Sequence, residues 1–587
     1  MAEQRIIGKK RTIILIIFLG VFLTSLIIFR SIPLDVRKTY NQFVTTEDDI
    51  KICYNVFEPT NNDSTNKKAV LIGHGVMVNK EVMKMMALEL AKNDFVVVSF
   101  DFRGHGRSGG DFNYIADNFN LDNLDMEEHI DLFNFNILTR DIKAIKEEYL
   151  ANRGDIDMAN LGYIGYSMGG GAGFEACFTD NDFKAMIGLC PAIDVSKVNT
   201  TNPKNLLILA SKYDEAIVFD DVLKAMENKT EISTSVILES VNEKNYWEYD
   251  AGSFTTGTAA RVYRNPYQEH FLAPWDKSYI KEARNWMLRA LQGESNPNIL
   301  QSSMIYNILS ISLILEIIGA MGIFFILSGL IVSKLSKRRE ETLIEEDKIK
   351  EWGFQEIVAH ALIYIVLLSF PCMLLFLPFF LGHLLITGFM LMLIFGPSMA
   401  IFFYLRAFMK KRDYNITSIY KEAFKTTNIQ NILIGLTTGF MLYFLLQISI
   451  GQIFSIMPAT FDWLWVPFYF GITFLIYFNF IMFFQPLIQE KIGEKYKNTA
   501  LVTGCFNFAA NVLLSLFILL TPCLILGNYF IFMFFVPVVG LHAVSSFTAT
   551  YIYSKNKDVI LVTIATALIP CLMFSTLSPI IWIGNFV

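Results

Sequence analysis

Apolar residues run along this chain in two ways. From Leu34 to about Gln292 they form short runs broken by charged residues, whereas outside that stretch they form blocks long enough to cross a bilayer. Thr12 to Phe29 is an unbroken stretch of apolar and small residues preceded by Arg5, Lys9, Lys10 and Arg11, the length of a spanning helix. It exceeds a typical signal-peptide core and no A-x-A-like site follows it, so it predicts an uncleaved anchor behind a short cytoplasmic N-terminus, residues 1 to 11. From Met304 onward come eight further apolar blocks, roughly at 304 to 333, 356 to 380, 383 to 405, 430 to 451, 462 to 486, 498 to 525, 529 to 552 and 558 to 580. Residues 304 to 587 therefore predict an all-α transmembrane domain.

Within 34 to 292 the runs have a different period. Ala69 to Gly73 and Phe95 to Phe100 are β-branched and aromatic runs of strand length flanking a helical stretch from Lys80 to Asn93, a βαβ pattern. Further short runs at Leu161 to Ile164, Ala185 to Cys190, Asn205 to Ala210 and Ser235 to Leu238 alternate with helical segments, the last helix opening at Asp276. A mostly parallel sheet covered by helices, an α/β domain, is the expectation.

Composition sharpens this division. The 587 residues are 53% hydrophobic and only 18% charged, below the roughly 25% charged of ordinary soluble proteins, and mean hydropathy is +0.41. A net charge of −6 argues against a nucleic-acid partner. Seven cysteines with no C-x-x-C pair supply neither a disulfide framework nor a structural zinc site. Charge also orients the apolar blocks, because Lys and Arg gather on the cytoplasmic side of short loops. Lys334, Lys337, Arg338 and Arg339, then Arg406, Lys410, Lys411 and Arg412, then Lys491, Lys495 and Lys497, then Lys555 and Lys557 fall after alternate blocks, while the intervening loops around Gly382, from Gly451 to Phe461 and at Gly527 to Tyr529 carry no Lys or Arg. Nine spans then put the α/β domain and the C-terminus outside the cytoplasm. Trp463 and Trp465 beside Asp462 suit an interfacial aromatic belt on that face.

The chemistry sits in the α/β domain. Gly165-Tyr166-Ser167-Met168-Gly169 closes one predicted strand, and G-x-S-x-G permits a tight strand-to-helix turn that holds a serine hydroxyl clear of its backbone. Ser167 is the candidate nucleophile. In this architecture an acid and then a histidine follow the serine in chain order. His270 is the single histidine of the domain beyond Ser167, since His74, His105 and His129 precede it. Asp214, just past the strand ending at Ala210, is the leading candidate acid, with Asp220, Asp221 and Asp250 open as alternatives. Oxyanion donors are expected from the backbone N–H groups of Met168 and, in the His74-Gly75-Val76 turn, of Val76.

These motifs resemble a known family. His74-Gly75, Asn79-Lys80-Glu81, the run from Ser99 through Asp101, Arg103, Gly104, His105 and Gly106 to Gly110, and the Ser167 turn occur in the order seen in the α/β-hydrolase superfamily. The resemblance spans roughly residues 50 to 292 and is nearest to serine aminopeptidase and monoacylglycerol lipase-like hydrolases, and to X-Pro dipeptidyl peptidase-like or dienelactone hydrolase-like members. It implies a Ser-Asp-His hydrolase of esters, amides or peptides that needs no cofactor and no metal, with the Asp101 to Gly110 segment a structural loop. Small-molecule, lipid or peptide substrates are all compatible. Only about a dozen residues separate the strand ending near Cys190 from the one opening at Asn205, too few for the helical cap of lipase-like relatives. A lid is expected instead from Asp111 to Asn136, which is acidic, or from Val241 to Glu269, which carries Tyr246, Trp247, Tyr249, Phe254, Tyr263 and Tyr267.

In the apolar half, Glu316, His360, His383, Asn507, Asn511 and His542 are costly in lipid and stand as candidates for function or helix-packing glue. The expectation is a membrane-anchored esterase-like or lipase-like serine hydrolase. Two alternatives remain: an aminopeptidase, and a transporter or sensor whose outer domain is an accessory binding module.

Overall fold

The computed structural model describes residues 2–110, 135–239, 247–294, 304–338, 343–376, 385–458, 462–527 and 529–577. The chain divides into two compact units. One holds Leu26–Leu313 together with Ile450–Ser455, and the other Met1–Ser25, Ile314–Ser449 and Ile456–Ser578.

The first unit is built on nine strands: β1 (Val36–Thr45), β2 (Lys51–Pro59), β3 (Lys67–Gly73), β4 (Val96–Phe100), β5 (Ile156–Tyr166), β6 (Phe183–Leu189), β7 (Leu206–Tyr213), β8 (Trp247–Ala251) and β9 (Ala260–Glu269). Their order across the sheet is β1-β2-β4-β3-β5-β6-β7-β9-β8. The six central strands from β4 to β9 are parallel, and β1, β2 and β8 add antiparallel edges. Every residue of β4, and the run Ala69 to Gly73 of β3, is buried, which is why these strands read as continuous apolar runs rather than alternating ones. Helices Lys84–Ala91, Met168–Thr179 and Lys277–Gln292 connect or cover them. From β3 the chain moves to β4 on one side and then returns to β5 on the other. That reversal leaves a crevice at the carboxyl ends of β3 and β5, where His74 and Ser167 follow directly.

Two expectations need correction. Ser235 to Leu238 is not a strand but part of a helix, Thr234–Glu239, with the Ile237 N–H donating to the Ser233 carbonyl at 3.0 Å; four apolar residues carry no period that separates strand from helix. Val241 to Glu269 is not a free loop, because it contains the antiparallel pair β8 and β9. Tyr249 and Tyr263 are buried in the unit, Phe254 packs on Trp286 at 4.6 Å between ring centres, and Tyr267 is exposed. Tyr246 and most of the acidic segment, residues 111–134, lie outside the described residues.

Several charged side chains inside this unit are paired. Lys80 Nζ lies 2.6 Å from Asp101, whose carboxylate also accepts the N–H groups of Lys80 and Arg107. The Asp101 to Gly110 segment is thus tied internally, as a structural loop. His105 contributes to it through a ring nitrogen 3.0 Å from the Arg103 carbonyl. Arg284 meets Glu89 at 3.0 Å, both side chains 2% exposed.

Nine helices among the described residues, from Lys9–Ser31 to Val559–Thr576, are long and apolar enough to cross a membrane. Several polar side chains in this region turn inward. Tyr420 donates to Asn479, and Asn479 donates to Ser398 on a third helix; His542 Nε2 is 2.7 Å from Ser515 Oγ. Glu316, Asn507 and Asn511 are buried, while His360 is exposed and His383 lies outside the described residues. Interhelical hydrogen bonds of this kind hold apolar helices together where burial of apolar surface offers no net gain.

Replacing Glu89 by Ala leaves the Arg284 guanidinium buried without its counter-charge. The thermal or denaturant transition of the full chain is expected to fall by about 3–5 kcal/mol, and a change below 1 kcal/mol would overturn this account of the pair.

Candidate active site

The turn between β5 and the helix Met168–Thr179 puts Ser167 in a backbone conformation with φ 51° and ψ −117°, a region that residues with a side chain rarely occupy. The surrounding packing enforces it. A Cβ at Gly165 would lie 2.2 Å from the Gly169 carbonyl oxygen, and one at Gly169 would lie 2.6 Å from the carbonyl oxygen of His74. Only glycine fits these contacts, which explains the G-x-S-x-G spacing physically. Hydrogen bonds pin the turn on both sides: Ser167 N–H donates to Leu189 O at 3.0 Å, and Ala192 N–H donates to Ser167 O at 3.0 Å. The hydroxyl stands at the N-terminus of a helix, where the backbone dipoles favour developing negative charge.

His270 follows β9, and Asp214 follows β7. His270 Nε2 lies 3.0 Å from Ser167 Oγ, and His270 Nδ1 lies 2.9 Å from Asp214 Oδ1. The structure thus brings together the three side chains selected from the sequence. It does not bring the alternative acids there: Asp220 and Asp221 lie in the first turn of the helix Phe219–Thr230, and Asp250 on β8 pairs with Arg261. Burial disfavours the charged imidazole of His270, but the Asp214 carboxylate, joined by Glu215 and Glu269, outweighs it and holds the pKa above the ordinary value of 6.5.

The expected oxyanion donors belong to the residue after Ser167 and to the turn after β3. Met168 opens the helix after Ser167. Val76 sits in the turn after β3, and the neighbouring Gly75 approaches so closely that a Cβ there would be 3.0 Å from Ser167 Cβ. His74 is more than the end of a strand. Its Nε2 accepts the Phe102 N–H at 3.0 Å, which leaves Nδ1 to donate to the Gly75 carbonyl at 2.6 Å. Burial lowers its pKa to about 3, so the ring is neutral. Holding the Gly75 carbonyl fixes the peptide plane and points the Val76 N–H the opposite way.

Three side chains that hold the histidine segment were not selected from the sequence. Tyr166 donates its hydroxyl to the His270 carbonyl at 3.2 Å, and Glu215 accepts the His270 N–H at 3.3 Å. Glu269 accepts the N–H groups of Phe271 and Leu272 at 2.7 and 2.6 Å. Burial raises the Glu215 carboxyl to about 7. Adjacency to Asp214 and to His270 was the only sequence signal for the two glutamates. Among the described residues, one trio of metal-ligating side chains occurs, Cys190, Asp214 and His270, and it overlaps this cluster.

Part of the chain is similar to a known family. Residues 64–243 match the family described as serine aminopeptidase, S33. No curated protein sequence matches the chain. Among solved structures, an esterase of Pyrococcus furiosus is 15% identical, with 44% of this chain and 96% of that chain covered and a TM-score of 0.32. A predicted CIB-like hydrolase from Thermoplasma acidophilum is 14% identical, with 43% of this chain and 98% of that chain covered and a TM-score of 0.29. The strand order and the family match agree on an α/β-hydrolase fold for this part of the chain, which is joined to a region of apolar helices.

Gly165→Ala tests the packing that shapes the turn. Because the blocking atoms are backbone, the variant is expected to lose about 1–3 kcal/mol or more in unfolding measurements. An unchanged transition would show that the turn is not held by this contact.

Proposed function

We propose that the protein is a membrane-anchored serine hydrolase that cleaves ester bonds, in the manner of an esterase or lipase, on the extracytoplasmic face. The observation that carries the reading is the continuous line of hydrogen bonds from Ser167 Oγ through both ring nitrogens of His270 to Asp214, at 3.0 and 2.9 Å. Neutral His270 takes the Ser167 proton as the oxygen attacks the substrate carbonyl, and then returns it to the leaving group. Asp214 stabilises the imidazolium formed between these steps. The N–H groups of Met168 and Val76 receive the oxyanion, and water releases the acyl group from Ser167 by the same route. No external cofactor enters this sequence. The nine apolar helices and the basic residues at alternate loops support the anchoring and the sidedness.

The family match over residues 64–243 favours a second reading, cleavage of an amino-terminal peptide bond. The full chain in detergent, assayed in parallel on short-chain p-nitrophenyl esters and aminoacyl anilides, separates the two. Ester turnover without anilide cleavage supports the esterase, and the reverse supports the peptidase. A fluorophosphonate probe is expected to label wild type and not Ser167→Ala; an unlabelled but folded wild type would overturn both readings in favour of an accessory binding module.

Activity is expected to rise with pH through a midpoint above 6.5, because the base works only when neutral and Asp214 favours its protonated form. Asp214→Asn removes that charge and leaves burial opposed only by Glu215 and Glu269, so the midpoint of the pH–rate profile moves down. The maximal rate falls by about 10³- to 10⁴-fold. A midpoint that stays in place would show that a group other than His270 controls the limb.

A further inference from the structure

A thiol not used by the proposed chemistry stands behind the Ser167, His270 and Asp214 line. Cys190 follows β6 with φ 41°, a left-handed conformation unusual for a residue with a side chain. Its N–H is held by the Leu209 carbonyl at 2.8 Å, and its side chain is turned into the protein, 1% exposed, with Sγ 3.2 Å from Ser211 Oγ. Sγ of Cys190, a carboxylate oxygen of Asp214 and a ring nitrogen of His270 all lie within 4.8 Å of one another. The nitrogen facing Asp214 is Nδ1, at 2.9 Å. Three donors of different softness thus converge from just beyond β6, β7 and β9, positions fixed by adjacent strands.

Their spacing suits a particular kind of ion. Bond lengths of about 2.3 Å to sulfur and about 2.0–2.2 Å to nitrogen and oxygen, at tetrahedral angles, separate ligand atoms by roughly 3.3–3.6 Å. The His270–Asp214 separation of 2.9 Å falls just below that range, and the limit of 4.8 Å on all three pairs leaves room for it. A thiolate with an imidazole selects zinc or cadmium over magnesium or calcium, which prefer oxygen ligands. We propose that Cys190, Asp214 and His270 form an inhibitory binding site for a thiophilic divalent cation, zinc or cadmium, with water at the fourth position.

Binding involves no electron transfer. The Cys190 S–H bond breaks, its proton leaves to solvent, and a metal–sulfur bond forms. The Nδ1 proton of His270 transfers through solvent to Nε2, which frees the Nδ1 lone pair for the metal, and an Asp214 oxygen supplies the third bond. His270 then presents an N–H to Ser167 in place of a lone pair. It cannot accept the serine proton, so the hydrolase is switched off for as long as the ion remains. The inhibition rests on the proposed Ser167 mechanism, whereas binding of the ion does not.

The test uses the full chain in detergent, in a Cys505→Ser background because Cys505 is an exposed thiol. Cobalt(II) serves as the spectroscopic probe. A near-ultraviolet thiolate-to-cobalt band saturating at one ion per chain is expected, displaced by zinc, present in Ser167→Ala and absent in Cys190→Ala. Zinc or cadmium, but not magnesium, is expected to block fluorophosphonate labelling, with recovery on chelation. Cys190→Ala is expected to label normally without metal and to need about tenfold more zinc, or beyond, for the same block. Cys190→Ser, which keeps a hydroxyl toward Ser211, decides the question should the alanine variant unfold. No cobalt band in wild type, or equal zinc sensitivity in wild type and the Cys190 variants, overturns the site. A cobalt band in a folded protein that the fluorophosphonate never labels leaves the metal site standing and removes the hydrolase reading instead.

Discussion

The sharp turn at Ser167 is the constraint on which the rest of the hydrolase unit depends. A side-chain-bearing residue at φ 51° is unfavourable by itself, and the conformation persists because neighbouring backbone leaves no other path. Gly165 lies against Gly169, Gly169 lies against the carbonyl of His74, and Gly75 lies against Ser167. The strand ends of β3 and β5 are therefore locked together at their carboxyl termini. The same close approach that strains the serine brings the turn after β3 alongside its hydroxyl.

Around that turn the polar groups are divided by task. Asp214 faces the ring of His270, while the backbone of the same residue is gripped by Tyr166 at its carbonyl and by Glu215 at its N–H. Glu269 holds the two following N–H groups. Orientation of the imidazole is thus set twice, once through the ring and once through the chain that carries it. Three carboxylates so close together are tolerated because the N–H groups they accept offset part of their burial, although Glu215 and Glu269 are both left with raised pKa values by that burial.

The apolar helices obey a different rule. Their outward positions carry Ile311, Leu315, Leu513 and Ile525, all exposed, while Asn479, Asn507, Gln485 and Ser398 are buried between helices. Among such helices, hydrogen bonds and close van der Waals contact decide association. This explains why Glu316, Asn507, Asn511 and His542, polar residues visible in the sequence, turn inward.

The linear chain was sufficient for much of this. Apolar blocks of spanning length, the glycines around Ser167, and the order of Ser167, Asp214 and His270 are local or ordinal properties, and they carry the α/β class, the helical region and the choice of the three side chains. Ser235 to Leu238 and the β8–β9 pair were misread because a short apolar run adopts whichever backbone pairing its neighbours offer, and that offer is made across the sheet. The roles of His74, Tyr166, Glu215 and Cys190 were equally invisible. Each depends on a separation of a few ångströms between residues far apart along the chain, 103 positions between Ser167 and His270 and 28 between His74 and Phe102. Residue type and spacing determine which groups are available, and only the packing of strand ends against one another decides which of them meet.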